Sequence, residues 1–243
     1  LLWFRKPPVK AYWWNKIPNF GDAISPLILA RFAELNVLWA SPHECQIVSV
    51  GSVLEHLPKN FTGYVVGTGL LRDYARTQFN PANAKILALR GPLSAKGIWG
   101  NYALGDPGLL ANELVEPQDK RWLLSVLPHW KDKTLAARFP QANVISPGDH
   151  PLSVIRDIAA SNWIVTSSLH GMIVADAFAI PRRVEISKEL KTEGSWFKFK
   201  DYSLSIRTKF VPGKMMTPKR RDVEDATYEI YDAMRELSRV NLG

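Results

Sequence analysis

Short runs of β-forming apolar residues alternate along this chain with longer stretches whose apolar residues recur at helical spacing. That alternation limits the fold more than composition does. A strand, a helix and a second strand form a parallel crossover, and parallel sheets need cover on both faces. Lys10–Trp14 reads as the first strand, with a turn at Pro18–Gly21. Asp22–Leu35 follows with Ile24, Leu27, Ile28, Phe32 and Leu35 on one helical face. Gln46–Gly51, Gly63–Gly67 and Lys85–Leu89 read as further strands, Gly91–Gly97 as a helix start, and Tyr102–Leu104 as a strand. The pattern restarts near Gln118–Arg121. Strands are expected at Trp122–Leu127, Asn143–Ile145, Trp163–Thr166 and Arg183–Ile186. Helices are expected at Asp132–Phe139, Pro151–Ala160, Leu169–Phe178 and Asp222–Arg239. The fold class is therefore α/β, with two βαβ domains of similar size. The expected boundaries are 1–118, 119–212, and a basic loop with a C-terminal helix over 213–243.

The 243 residues are 46% hydrophobic and 22% charged, which is the composition of a folded globular chain. Lys and Arg number 31 against 23 Asp and Glu, a net charge of +8. Such a chain attracts anions, and nucleic acid, an anionic membrane and a phosphorylated substrate all qualify. Cys45 is the single cysteine, so an intrachain disulfide and a Cys-based metal site are excluded, and a reducing cytoplasm suits the chain. The five His show no HxxH or HExxH spacing, so no metal is expected. The chain begins on Leu1 rather than Met, as a trimmed chain does, and Leu1–Phe4 is too short for a signal-peptide core. Trp163–Ile180 is interrupted by Ser167, Ser168, His170 and Asp176 and makes a poor membrane span. The basic stretch Lys214–Arg221 is expected as a solvated loop, with contact to anionic lipid as its alternative.

In an open parallel sheet ligands bind at the carboxyl ends of the strands, so polar residues there are the candidates for chemistry. Asn19-Phe20-Gly21-Asp22 enters a helix, and Asp22 is either a functional carboxylate or a plain N-cap. Arg90, in Leu89–Ser94, suits a bidentate bond to phosphate or carboxylate, or a surface ion pair. Asp106, in Leu104–Gly108, sits in an Asp-Pro turn. In Thr166–Met172 a strand runs into a helix through two hydroxyls, Ser167 and Ser168, and His170. An anion fits such a helix start, and His170 is placed to donate to a phosphate or move a proton; the alternative is a structural histidine. Neither GxGxxG nor GxxxxGK[ST] occurs, which argues against dinucleotide and P-loop chemistry.

In this order, Asn19–Ser25 (NFGDAIS), Gly67–Leu71 (GTGLL), Ala88–Ser94 (ALRGPLS), Gly105–Leu110 (GDPGLL) and Ser167–Pro181 (SSLHGMIVADAFAIP) resemble the polysaccharide pyruvyl transferase family. The resemblance implies two Rossmann-like domains facing a cleft, as in glycosyltransferase-B enzymes. It implies phosphoenolpyruvate as a co-substrate, with no cofactor, and a saccharide acceptor, often carried on an undecaprenyl lipid. The family's functional Asp, Arg and His carry over to Asp22, Arg90 and His170. A family Lys falls on Lys188, Lys191 or Lys198, and Lys198 is favoured because Lys198–Tyr202 (KFKDY) matches a K-F-x-D-Y segment. His129, in Pro128-His129-Trp130, matches a further element. Asp22 is then expected as the base and His170 as the acid or phosphate contact. Arg90, Ser168, Lys198 and Lys188 are expected on the donor, and Asn19, Asp106 and His129 at the acceptor or cleft. The expected place of work is the cytoplasm, including the inner membrane surface. Two rivals stand beside this reading: a nucleotide-sugar glycosyltransferase of the same shape, and a non-catalytic basic protein. Nucleic acid is not the expected partner, because the basic residues are spread and no RNA-binding signature occurs.

Overall fold

The computed structural model describes residues 8–73, 80–190, 196–240 and 242. The elements in the first half are β1 (Val9–Tyr12), α1 (Phe20–Phe32), β2 (Val37–Trp39), β3 (Ile47–Val48), β4 (Tyr64–Val66), β5 (Lys85–Leu89) and β6 (Ala103–Leu104). The second half has β7 (Trp122–Leu127), β8 (Asn143–Val144), α2 (Pro151–Ala159), β9 (Ser161–Thr166), α3 (Leu169–Ala177), β10 (Arg182–Val184), α4 (Phe197–Ser205), β11 (Met215–Met216) and α5 (Arg220–Ser238). The first six strands make a parallel sheet in the order β2-β1-β3-β4-β5-β6. The other five make a mixed sheet in the order β11-β10-β9-β7-β8, parallel except for the antiparallel edge pair β10–β11.

Strand residues such as Val65, Val66, Val126 and Val165 are buried, as strands covered on both faces require. One apolar cluster draws on both sheets. It joins Val9, Ala11, Ile24 and Ile28 of the first half to Leu127, Ile155, Ile164 and Val174 of the second. Helix α5 returns to the first half and adds Ile230, Met234 and Leu237 to the same cluster. Each fully buried side chain of this size contributes about 1.5–3 kcal/mol, so α5 binds the chain's end firmly to the first sheet. Among the described residues no helix is long and apolar enough to cross a membrane.

Four expectations from the sequence are corrected. Gly91–Gly97 forms turns and not a helix, and the amides of Leu93 and Ser94 bond to the Asp201 carboxylate. Asp132–Phe139 forms turns with a short 3-10 segment, Ala136–Arg138; the Asp132 carboxylate accepts from the Thr134 and Leu135 amides and fixes that turn. The basic stretch Lys214–Arg221 is not all loop, since Met215–Met216 adds the edge strand β11 and Arg220 starts α5. Asp22 is not an N-cap: Asn19 holds that position, and Asp22 lies in the first turn of α1.

Candidate active site

A pocket of about 430 Å³ opens where the carboxyl ends of the two sheets meet. From the first half it is lined by Trp14 and Asn19 after β1, Asp22 on α1, Ser52 and His56 after β3, and Arg72 after β4. The second half supplies His129, Trp130 and Lys131 after β7, Ser167, Ser168 and His170 after β9, and Lys198 on α4. The position follows from the rule that strand ends, free of further pairing, are where a parallel sheet offers side chains to a ligand.

The turn from β9 into α3 is held by its own hydroxyls. Thr166 Oγ1 donates to the Leu127 carbonyl at 2.6 Å and accepts from the Ser168 amide at 2.9 Å. Ser167 Oγ accepts from the His129 amide at 2.8 Å, which ties the ends of β7 and β9 together. Ser168 is the N-cap of α3, and its Oγ accepts from the Gly171 amide. The first amides of α3 and the positive end of its dipole therefore face the pocket.

His170 is 6% exposed, and its ring packs over Gly21. A Cβ at residue 21 would sit 2.2 Å from His170 Nδ1, so the glycine of the NFGD segment is what lets the ring lie there. On its other side His170 Nε2 lies 3.7 Å from Asp106 Oδ2. That distance is too long for a hydrogen bond, and both atoms are buried with no hydrogen-bond partner. Asp106 is fully buried and holds its turn by accepting from the Gly108 amide through its other oxygen.

Asp22 accepts a hydrogen bond from Asn19 Nδ2. Burial pushes its carboxyl up to about 6, although nearby His170, the Asn19 bond and Lys198 pull the other way. Burial, helped by the Arg90 guanidinium, brings Lys198 down to about 8. Burial, with Lys198 and Lys131 beside it, lowers His129 to about 3, so its imidazole is neutral. At pH 7 the pocket thus joins an ionised but destabilised carboxylate to an ammonium close to losing its proton.

Aromatic rings form the rim. Trp14 stacks on Trp130 with centroids 5.6 Å apart, His129 stacks on Trp130 at 5.5 Å, and Lys131 Nζ lies 4.8 Å from the Trp130 centroid. His56 takes part in a 2.9 Å hydrogen bond between its Nδ1 and the Tyr12 hydroxyl.

Of the residues singled out in the sequence, Asn19, Asp22, His129, Ser168, His170 and Lys198 line this pocket. Asp106 stands behind His170. Arg90 does not line the pocket: it is fully buried and paired with Asp201 at 2.9 Å. Lys188 is exposed in the turn Lys188–Leu190 and also stays off the lining. Lys191 falls outside the described residues. Sequence reasoning passed over Trp14, Ser52, His56, Arg72, Trp130 and Lys131. Their one signal was position just past a strand, which many polar and aromatic residues share. Among the described residues no group of His, Cys, Asp and Glu is arranged to hold a metal ion.

The chain is 29% identical over 228 residues to the succinoglycan biosynthesis protein ExoV of Rhizobium meliloti (strain 1021). That likeness covers 87% of this chain and 69% of ExoV. It therefore takes in the strand ends of both sheets rather than one half alone. No family model matches the chain.

Proposed function

We propose that the chain is a pyruvyl transferase of exopolysaccharide synthesis, taking the enolpyruvyl unit of phosphoenolpyruvate to a sugar. The carrying observation is the convergence of Asp22, His170 and Lys198 in one pocket at the start of α3. Phosphoenolpyruvate is a small frame with a phosphate and a carboxylate. The α3 amides with Ser168 suit one anion, and Lys198 with Lys131 suits the other. The likeness to ExoV supports a role in polysaccharide synthesis. In this reading residues 1–118 and 119–212 are the two Rossmann-like halves of a glycosyltransferase-B-like enzyme. The acceptor is a saccharide, carried on an undecaprenyl lipid at the cytoplasmic face of the membrane.

The chemistry runs as follows. His170 delivers a proton to the methylene carbon, which becomes a methyl group, and the adjacent carbon becomes electrophilic. A sugar hydroxyl attacks that carbon and gives its proton to Asp22. The bond from carbon to the phosphate oxygen then breaks, and a second hydroxyl closes the ketal. Of the two hydroxyl protons, one ends on the methyl carbon and one on the departing phosphate, so the sum is balanced. The α3 amides and Ser168 meet the charge that develops on the phosphate, while Lys198 and Lys131 hold the carboxylate.

The direct test is phosphate release from phosphoenolpyruvate across a panel of lipid-linked saccharides. Thermal stabilisation by phosphoenolpyruvate is compared with that by nucleotide sugars. Stabilisation by nucleotide sugars alone would replace this reading with a glycosyltransferase.

The two shifted groups also set a pH profile. Below about 6 Asp22 holds a proton and cannot act as a base. Above about 8 Lys198 loses its charge and its hold on the donor. The expected kcat/KM is a bell with limbs near those two values, read by phosphate release. A flat profile between them and well beyond would remove both groups from the reaction.

A further inference from the structure

Arg90 lies where a donor-binding cation was expected, yet its side chain is fully enclosed. Its Nε donates to Asp201 Oδ2 at 3.0 Å, its Nη1 to Ser52 Oγ at 2.7 Å, and its Nη2 to the Leu70 carbonyl. Asp201 is equally enclosed and belongs to α4, from the second half of the chain. Its Oδ1 accepts from the amides of Leu93 and Ser94 at 2.9 and 3.0 Å, and its Oδ2 accepts from Ser94 Oγ. Backbone fits as closely as side chain: a Cβ at Gly91 would lie 2.0 Å from the Asp201 carbonyl oxygen. The segment after β5 therefore closes around one carboxylate of α4, and the segment after β4 holds the Arg90 side of the pair. Three residues earlier on that helix stands Lys198, which lines the pocket.

We infer that Arg90 and Asp201 are positioning residues: their buried pair locks α4 against the first sheet and so fixes Lys198 in the pocket. The lock, rather than a ligand, uses the charge of Arg90. It also makes Ser52 its outlet, since this hydroxyl both accepts from Arg90 and lines the pocket. Lys198 is faced by Asp22 from α1, by Arg90 behind it and by Lys131 from the β7 end. Its ammonium therefore stays between a carboxylate and two cations only while α4 is held. The effect on the donor rests on the phosphoenolpyruvate reading; the locking of α4 does not.

Electrostatics alone and positioning predict opposite signs. Removing the negative charge of Asp201 should tighten the binding of any anion if charge is all that matters. If Asp201 positions Lys198, Asp201→Asn weakens phosphoenolpyruvate binding, by about tenfold for the loss of one well-placed charged contact. The same substitution should cost little more in a Lys198→Met background, because the contact it positions is already gone. Arg90→Lys, which keeps the charge but not the fork of contacts, should behave likewise and serves if Asp201→Asn does not fold. Hydrogen–deuterium exchange supplies a readout without ligand: the peptide over α4 should exchange several-fold faster in either variant, and that over α2, which shares no apolar cluster with α4, at the parental rate. Faster exchange in a protein whose parent binds no phosphoenolpyruvate would leave the lock standing and end the donor reading. Unchanged exchange over α4, or tighter anion binding by Asp201→Asn, would overturn the lock. So would an Arg90→Lys effect that adds in full to Lys198→Met, since Arg90 would then touch the donor itself.

Discussion

Asp22→Asn is expected to lower turnover by roughly a thousandfold, the scale of a lost general base, while making the protein more stable at pH 8. The second half of that result separates catalysis from helix support. The folded chain holds the Asp22 proton up to about pH 6, against an ordinary value of 3.8. Between those values the folded state binds more protons than the unfolded one, so stability falls as pH rises through that window. By pH 8 the full penalty is present, about 3 kcal/mol. A carboxylate in the first turn of a helix gains only about 0.3–1 kcal/mol from the dipole, so burial outweighs it. Asparagine keeps the size and an acceptor for Asn19 and carries no charge. Its melting temperature should exceed the parent's at pH 8, and the advantage should vanish below about pH 4. Thermal melts at both pH values, beside the phosphate-release assay, check this. A variant less stable at pH 8 would mark Asp22 as a helix-stabilising residue.

Much of the fold was readable because burial imposes a pattern. Strands β1, β3, β4, β5, β7 and β9 are short apolar runs, and α1, α3 and α5 carry apolar residues at the right spacing. What escaped lacks that pattern. β2, Val-Leu-Trp, is an edge strand of three residues directly after α1, and its short apolar run does not stand apart from the helix before it. α4 reads Phe-Lys-Phe-Lys-Asp-Tyr, closer to strand alternation than to a helical stripe. Two polar anchors hold it instead: Asp201 on Arg90, and the Tyr202 hydroxyl donating to Asp176, which also pairs with Arg182. Gly91–Gly97 carries a helix-start sequence yet forms turns, and the carboxylate that takes the Leu93 and Ser94 amides lies over a hundred residues away. The same long-range pair decides the place of Arg90. A lone cation at a strand end signals an anion, but sequence does not say whether that anion is a ligand or an aspartate of the same chain. Strand-end positions did lead to Asp22, Ser168 and His170, because local geometry alone puts them at the sheet's edge, whereas His129 was reached only through the family resemblance.

His170→Gln is expected to lower turnover by roughly a hundredfold or more at nearly unchanged stability. A buried histidine is commonly kept for the hydrogen bonds it makes, and its loss then destabilises the fold. His170 Nε2 makes none: it faces Asp106 Oδ2 at 3.7 Å, and both atoms are buried and unpartnered. An unsatisfied buried polar group costs about 1–3 kcal/mol, so this contact offers the fold little that glutamine would remove. A small contraction would bring Nε2 within hydrogen-bond reach of the aspartate, which would fix the ring beside a bound phosphate. Glutamine is close to histidine in size and still offers an N–H to an anion. It cannot carry a proton at pH 7, so donor affinity should fall modestly and turnover steeply. That split between KM and kcat, with a parental melting temperature, is the expected outcome. A variant that melts well below the parent yet binds and turns over phosphoenolpyruvate normally would show that His170 packs the turn and nothing more.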